Sequence, residues 1–290
     1  MSTLPLFAPG GSLASALADR FGRLLIVDIG AAEYSGGRHP PYAPLLEAPQ
    51  AVVLGFEPHA EARAATEADQ RRIMLPHAVA DGREHRFHLC AAPMTSSLLE
   101  PNMAWLERFE DLASLCRVVG TEPVSTVRLD DVPEAGAADF IKIDVQSATL
   151  LVLGGAERVL SNALLIHTEV EFGPIYQDAP RFGDVDRFLS ARGFEFHHFL
   201  DFGTRRVLSG DYAFGRTASR QLWADAVFVP SFARLDALDA VALLKLAAMA
   251  HDCYGIEDLA HACLTRADRL TGSDLAAAYR TAVLAGDTLS

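Results

Sequence analysis

Short, unbroken runs of branched and aromatic residues punctuate the chain, and most close on a glycine or an acidic residue. Residues 24–29 (LLIVDI) end at Gly30, and residues 51–56 (AVVLGF) end at Glu57 and Pro58. A third run, 73–79, is interrupted by Pro76; residues 140–144 (FIKID) and 164–170 (LLIHTEV) form a fourth and a fifth. Runs that do not alternate with polar positions predict strands buried on both faces. Helical patterns fall between them. Residues 60–71 are rich in Ala and Glu, 148–160 offer Leu151, Val152 and Val159 for packing, and 184–192 stop at Gly193. Strands alternating with helices predict a doubly wound α/β fold around a mostly parallel sheet. Two later runs, 194–199 and 222–229, flank a link carrying Gly203, Gly210 and Gly215, and are expected to pair antiparallel at one sheet edge. Extra strands are expected at 84–90 and 124–129, outside the simple alternation.

After Pro230 the period changes. Leu235, Leu238, Val241 and Ala242 share one helical face, and Ile256, Leu259, Ala260 and Cys263 share another beyond Gly255. Asp274 precedes a third helical run containing Leu275 and Tyr279. The expected organisation is an N-terminal segment 1–21, an α/β domain 22–230 and a small helical extension 231–290. Packing or dimerisation is the expected use of that extension, which makes it a candidate homodimer face.

Charge narrows the partners. The 290 residues carry a formal charge of −13, which repels phosphate backbones and anionic membrane surfaces, so neither nucleic acid nor membrane is an expected partner. Arg71–Arg72 and Arg205–Arg206 are the close basic pairs, and read as solvated surface. No apolar stretch reaches the roughly 18 residues of a membrane span, and the N-terminus lacks a signal-peptide pattern, so a cytoplasmic protein is expected. Cys90, Cys116, Cys253 and Cys263 form no C-x-x-C pair and match no zinc spacing, which fits reduced thiols.

Parallel α/β sheets bind ligands at the C-terminal ends of their strands. Asp28, Gly30, Glu57, Asp81, Asp144, Glu169 and Glu171 fall at or just past those ends. Gly30 lets the backbone approach a ligand closely, and a carboxylate at Glu57 can accept both hydroxyls of a ribose. The first loop, 30–37 (GAAEYSGG), matches neither G-x-G-x-x-G nor the P-loop lysine pattern. It makes a poor pyrophosphate cradle, which favours a sulfonium cofactor over NAD, FAD or ATP.

These residues resemble the FkbM-type methyltransferases. The likeness runs through Val27-Asp28-Ile29-Gly30-Ala31, Phe56-Glu57-Pro58, Ala78-Val79-Ala80-Asp81-Gly82 and Thr95-Ser96-Ser97-Leu98-Leu99. It is strongest at Asp139-Phe140-Ile141-Lys142-Ile143-Asp144-Val145-Gln146, followed by Val152-Leu153-Gly154-Gly155-Ala156, and continues through Glu169-Val170-Glu171-Phe172 and Phe182-Gly183-Asp184-Val185 to Gly193-Phe194. It covers roughly residues 22–230. The resemblance implies a class I methyltransferase-like (Rossmann-like) fold, with a seven-stranded, mostly parallel sheet ending in an antiparallel strand pair, and S-adenosylmethionine as cofactor. On that likeness the turn holding Asp28, Gly30 and Ala31 lies against the methionine part and Glu57 against the ribose. Asp81 lies near the adenine, Ser97 on a loop facing the cofactor, and Lys142 and Asp144 beside the methyl-transfer centre.

The expected activity is O-methylation of a hydroxyl on a small molecule or glycan. An alcohol acceptor benefits from a base that takes its proton. Asp144, Glu169, Glu171 and His167 are the candidates, with Asp144, Lys142 and Glu169 carried forward as the catalytic set. His167 sits inside an apolar strand and reads as a satisfied core histidine. His197 and His198 are adjacent in a strand and are expected on opposite faces. Asp144 and Glu169 could share a divalent ion, but no metal is assigned. Two departures from the family pattern, the displaced glycines of the first loop and Gln146-Ser147-Ala148-Thr149, keep an alternative open: a catalytically inactive, methyltransferase-like binding or interaction protein. A nucleotide-cofactor oxidoreductase would need a phosphate-gripping loop.

Overall fold

Helix α1 (Leu13–Phe21) leads into strand β1 (Leu24–Ile29), and Ser12 caps the helix by accepting from the Ser15 amide. The computed structural model describes residues 7, 10–31, 39–58, 63 and 71–287. Then follow β2 (Ala51–Phe56), β3 (Arg72–Leu75), β4 (Ala78–Val79), β5 (Glu84–Cys90), α2 (Met103–Leu106), α3 (Leu112–Leu115), β6 (Val118–Val127) and β7 (Phe140–Ile143). After these come α4 (Thr149–Gly154), α5 (Glu157–Asn162), β8 (Leu165–Glu171), α6 (Phe182–Ser190), β9 (Phe194–Arg205), β10 (Leu208–Ser209), β11 (Tyr212–Ala213) and β12 (Arg220–Pro230). The chain ends in α7 (Phe232–Asp236), α8 (Ala240–Tyr254), α9 (Glu257–Thr271) and α10 (Leu275–Asp287).

The main sheet has seven strands in the order β3-β2-β1-β7-β8-β12-β9. Neighbours from β3 to β8 pair parallel, and β12 runs antiparallel to both β8 and β9. Alternate residues of each strand enter different cores, as the two-residue period of a pleated strand requires. Leu24, Ile26, Phe140, Leu165 and Val227 pack with α1, α8, α9 and α10. Leu25, Val27, Ile29, Ile141, Ile143, Ile166 and Phe228 pack on the other side with α4, α5 and α6. Burial on both faces explains why the strands read as continuous apolar runs rather than alternating ones.

Four local expectations are corrected. The single strand over 73–79 is two: β3 ends before Pro76, which has no amide to donate, and β4 joins a separate three-stranded sheet, β4-β6-β5. The strand expected at 124–129 is β6, which starts earlier and pairs antiparallel with β5. The helix over 148–160 is broken into α4 and α5. At the break, a Cβ on Gly155 would meet the Ala80 carbonyl oxygen at 2.4 Å, so only glycine admits this approach. His197 and His198 are not separated by the pleat. A register shift between Val227 and Phe228 leaves β9 bulged there, and the two Nδ1 atoms come within 2.8 Å. The helix expected over 60–71, and most of the first loop, fall outside the described residues.

The four cysteines are free, and Cys90, Cys116 and Cys263 are buried. Among the described residues no helix is long and apolar enough to cross a membrane.

Candidate functional site

The polar strand ends gather at the carboxyl edge of the sheet, where β1 and β7 lie side by side. Asp28 is the fifth residue of β1 and pairs with Lys142 of β7. By strand alternation both project to the face that carries Leu24, Ile26 and Phe140. Each is 2% exposed, so each needs a partner. The Lys142 ammonium donates to Asp28 Oδ1 at 2.9 Å and to the Gly30 carbonyl at 3.4 Å, and stands 3.9 Å from Asp144 Oδ2. The Tyr42 hydroxyl donates to the other oxygen, Asp28 Oδ2, at 2.6 Å. Asp28 and Lys142 therefore form an internal strut joining the turn after β1 to the end of β7.

That turn is tight. Gly30 takes φ +77, and a Cβ there would lie 1.9 Å from the Asp144 carbonyl oxygen. The Gly30 and Ala31 amides both donate to the Phe56 carbonyl at 3.1 Å, and the Asp144 amide donates to Ile29 at 2.9 Å. Three strand ends are thereby stitched together. Glu57, 5% exposed, follows directly at the end of β2.

Past β7 the chain turns through Gln146 and Ser147, both in the left-handed region at φ +48 and +69. The Ser97 hydroxyl donates to the Gln146 carbonyl at 2.6 Å, and Gln146 Nε2 donates to Asp144 Oδ1 at 3.1 Å. Ser147 donates to the buried Glu171 carboxylate. Ser97 thus braces this turn with its hydroxyl. Asp81 lies beyond β4 and accepts from His85 Nε2 at 2.6 Å.

Glu169 points to the same sheet face as Lys142 and is only partly exposed. Burial raises its carboxyl well above the usual range, and the charges of Asp144, Glu171 and Asp225 raise it further. Burial likewise pushes Glu171 up to about 7, against the pull of the Ser147 hydroxyl. Asp225 of β12 stands opposite Glu169 in register. His167 is buried, with Nδ1 3.0 Å from the Tyr254 hydroxyl and Nε2 3.4 Å from Asp225 Oδ2, as a satisfied core histidine should be. Among the described residues no three His, Cys, Asp or Glu side chains converge to hold a metal ion.

The edge brings together Asp28, Gly30, Ala31, Lys142 and Asp144, with Glu57 at the neighbouring strand end, Ser97 behind the turn after β7, and Glu169 on the adjacent strand. Asp81 lies further out, on the turn after the smaller sheet's β4. Sequence reasoning missed Tyr42, and marked Ser147 only as a departure from the family pattern, without its bond to Glu171. Tyr42 gave no signal beyond the two prolines before it.

The chemistry of this donor set discriminates between cofactors. The carboxylates of Asp28, Glu57 and Asp144 outnumber the Lys142 cation, so a pyrophosphate would meet repulsion. A cofactor carrying a sulfonium charge and ribose hydroxyls meets acceptors instead.

The sheet order, with one antiparallel strand next to the last, and the acidic carboxyl edge define a class I S-adenosylmethionine-dependent methyltransferase fold. A family model, the methyltransferase FkbM domain, matches residues 28–196, and the chain belongs to that family, whose cofactor is S-adenosylmethionine. No curated protein sequence matches the chain. Solved structures that resemble it are distant. Magnesium protoporphyrin IX methyltransferase from Synechocystis PCC 6803, with bound SAM, is 13% identical, with 76% of each chain covered and a TM-score of 0.35. A 16S rRNA adenine methyltransferase from Catenulisporales acidiphilia is 14% identical over 79% of this chain and 96% of that one, with a TM-score of 0.34. The N-terminal domain of EvdMO1, in the presence of SAH and D-fucose, is 12% identical over 75% and 81%, with a TM-score of 0.35.

Proposed function

We propose that this chain methylates a hydroxyl oxygen on a small molecule or glycan, with Glu169 as the base that takes the hydroxyl proton. S-adenosylmethionine supplies the electrophilic methyl group. The turn of Asp28, Gly30 and Ala31 would hold its methionine part, Glu57 its ribose and Asp81 its adenine side, while Ser97 braces the turn bearing Asp144. Lys142 acts by fixing Asp28 and Gly30, and Asp144 borders the acceptor.

The observation that carries the reading is the raised proton affinity of Glu169 beside Asp144 at the carboxyl edge. The acidic edge also suits an acceptor rich in hydroxyl donors and opposes a polyanionic one. The left-handed backbone at Gln146 and Ser147 follows the path a glycine would take, so the departure at Ser147 leaves the turn intact. That supports catalysis over an inactive binding role.

The test is transfer of labelled methyl from S-adenosylmethionine to a panel of neutral sugars, aminosugars and phenols. Glu169→Gln should lower kcat by about a hundredfold or more, with cofactor affinity unchanged by calorimetry. Methylation confined to nitrogen, or an unaffected Glu169→Gln variant, would refute the reading.

A further inference from the structure

Both oxygens of the Asp28 carboxylate are engaged inside the protein. One oxygen takes Lys142 and the other takes Tyr42, at 2.9 and 2.6 Å. Both oxygens are thereby tied to the fold, and Asp28 anchors the backbone turn that follows it. Lys142 belongs to the sheet itself. Tyr42 does not: it comes from the crossover between β1 and β2, immediately before a short 3-10 helix, Ala43–Glu47. Leu45 of that helix packs in the same core as residues of α1 and α8.

The Tyr42 ring is fixed from several sides. It meets Phe140 edge-on at 6.2 Å between centroids, and the Arg72 guanidinium lies 5.9 Å from its centre. The side chain is 1% exposed. Burial and the Asp28 charge push its phenol far above its ordinary value, so the hydroxyl stays a proton donor at physiological pH. Among the described residues, Asp28 is the acceptor it meets. Beyond Asp28 lies the turn at Gly30, where the Asp144 carbonyl leaves no room for even a methyl group. A backbone shift of a few tenths of an ångström there is a steric event.

We propose that Tyr42 is a positioning residue for S-adenosylmethionine. Through Asp28 and Lys142 its hydroxyl holds the Gly30 turn and the end of β7 in the arrangement that receives the cofactor. The proposal concerns the cofactor side alone and stands whichever acceptor is methylated.

The test uses the full, cofactor-free chain. Tyr42→Phe keeps the ring and removes one hydroxyl. Calorimetric titration with S-adenosylmethionine and S-adenosylhomocysteine should show affinity weakened about tenfold, the loss of one hydrogen bond to a buried charge. In an Asp28→Ala background, which leaves no side-chain acceptor, the same change should cost less than about twofold, because the path through Asp28 is already broken. Hydrogen exchange at the Gly30 and Ala31 amides should accelerate in Tyr42→Phe, while β12 keeps its protection. An affinity within about twofold of the parent, an equal loss in both backgrounds, or acceleration spread equally over β12 would each overturn the proposal. The last outcome marks a general loss of stability. If Asp28→Ala fails to fold, exchange in the single Tyr42→Phe variant decides.

Discussion

Ser147 holds a left-handed backbone, which costs a non-glycine residue roughly 1 kcal/mol or more, and its hydroxyl is given to Glu171. The buried carboxyl and the strained turn thus depend on each other. Glu171 is raised from 4.5 to about 7, so the folded protein binds this proton more tightly than the unfolded chain. Below pH 4.5 both states are protonated and the group is neutral to stability. As pH rises from 4.5 through about 7 the unfolded chain releases the proton freely while the folded protein must ionise a buried group, and stability is lost across that window. Urea midpoints at pH 5 and pH 7.5 should therefore fall more steeply for the parent than for Glu171→Gln. Parallel pH profiles would show that Glu171 is solvated in the native state.

At the scale of elements, Asp139 governs how β1, β7 and β8 start in register. Its carboxylate accepts from the Leu25 amide at 2.9 Å, and its carbonyl accepts from Leu164 at 2.8 Å. Lys245 of α8 reaches both carboxyl oxygens at 3.0 Å, yet burial still raises Asp139 above its ordinary value. Removing one partner of such a pair leaves a buried charge unanswered. Lys245→Met should destabilise by about 3 kcal/mol, and adding Asp139→Asn should restore part of it; urea unfolding of the single and double variants measures both. The sequence displayed the buried strands, their order of chemistry and the edge pair because those depend on apolar runs and strand-end residues. It did not display Tyr42 or Lys245, because each meets its carboxylate across a separation set by packing, Tyr42 to Asp28 and Lys245 to Asp139. The bulge that unites His197 and His198 is likewise a product of β9 matching β12, with no turn residue to announce it.

At the scale of the whole molecule, the question is whether residues 231–290 are an appendage or part of the core. Their contacts argue for the core. Leu243, Leu246, Ala247 and Met249 of α8 lie in one cluster with Leu24, Ile26, Phe140 and Leu165 of the sheet. Asp252 accepts from the Leu13 and Ala14 amides at the start of α1, at 2.7 and 2.8 Å. Arg234 donates to the Leu160, Ser161 and Ala163 carbonyls at the end of α5. Tyr254 meets His167 beneath the candidate site. A chain ending at Pro230 would bare one face of the sheet, and an apolar surface of that extent leads to aggregation rather than to a smaller folded domain. Such a truncation should give no cooperative thermal transition and no calorimetric signal with S-adenosylmethionine. A soluble truncated chain that melts cooperatively and binds the cofactor would instead show that β1 to β12 fold alone, and that the last four helices were added to a finished methyltransferase.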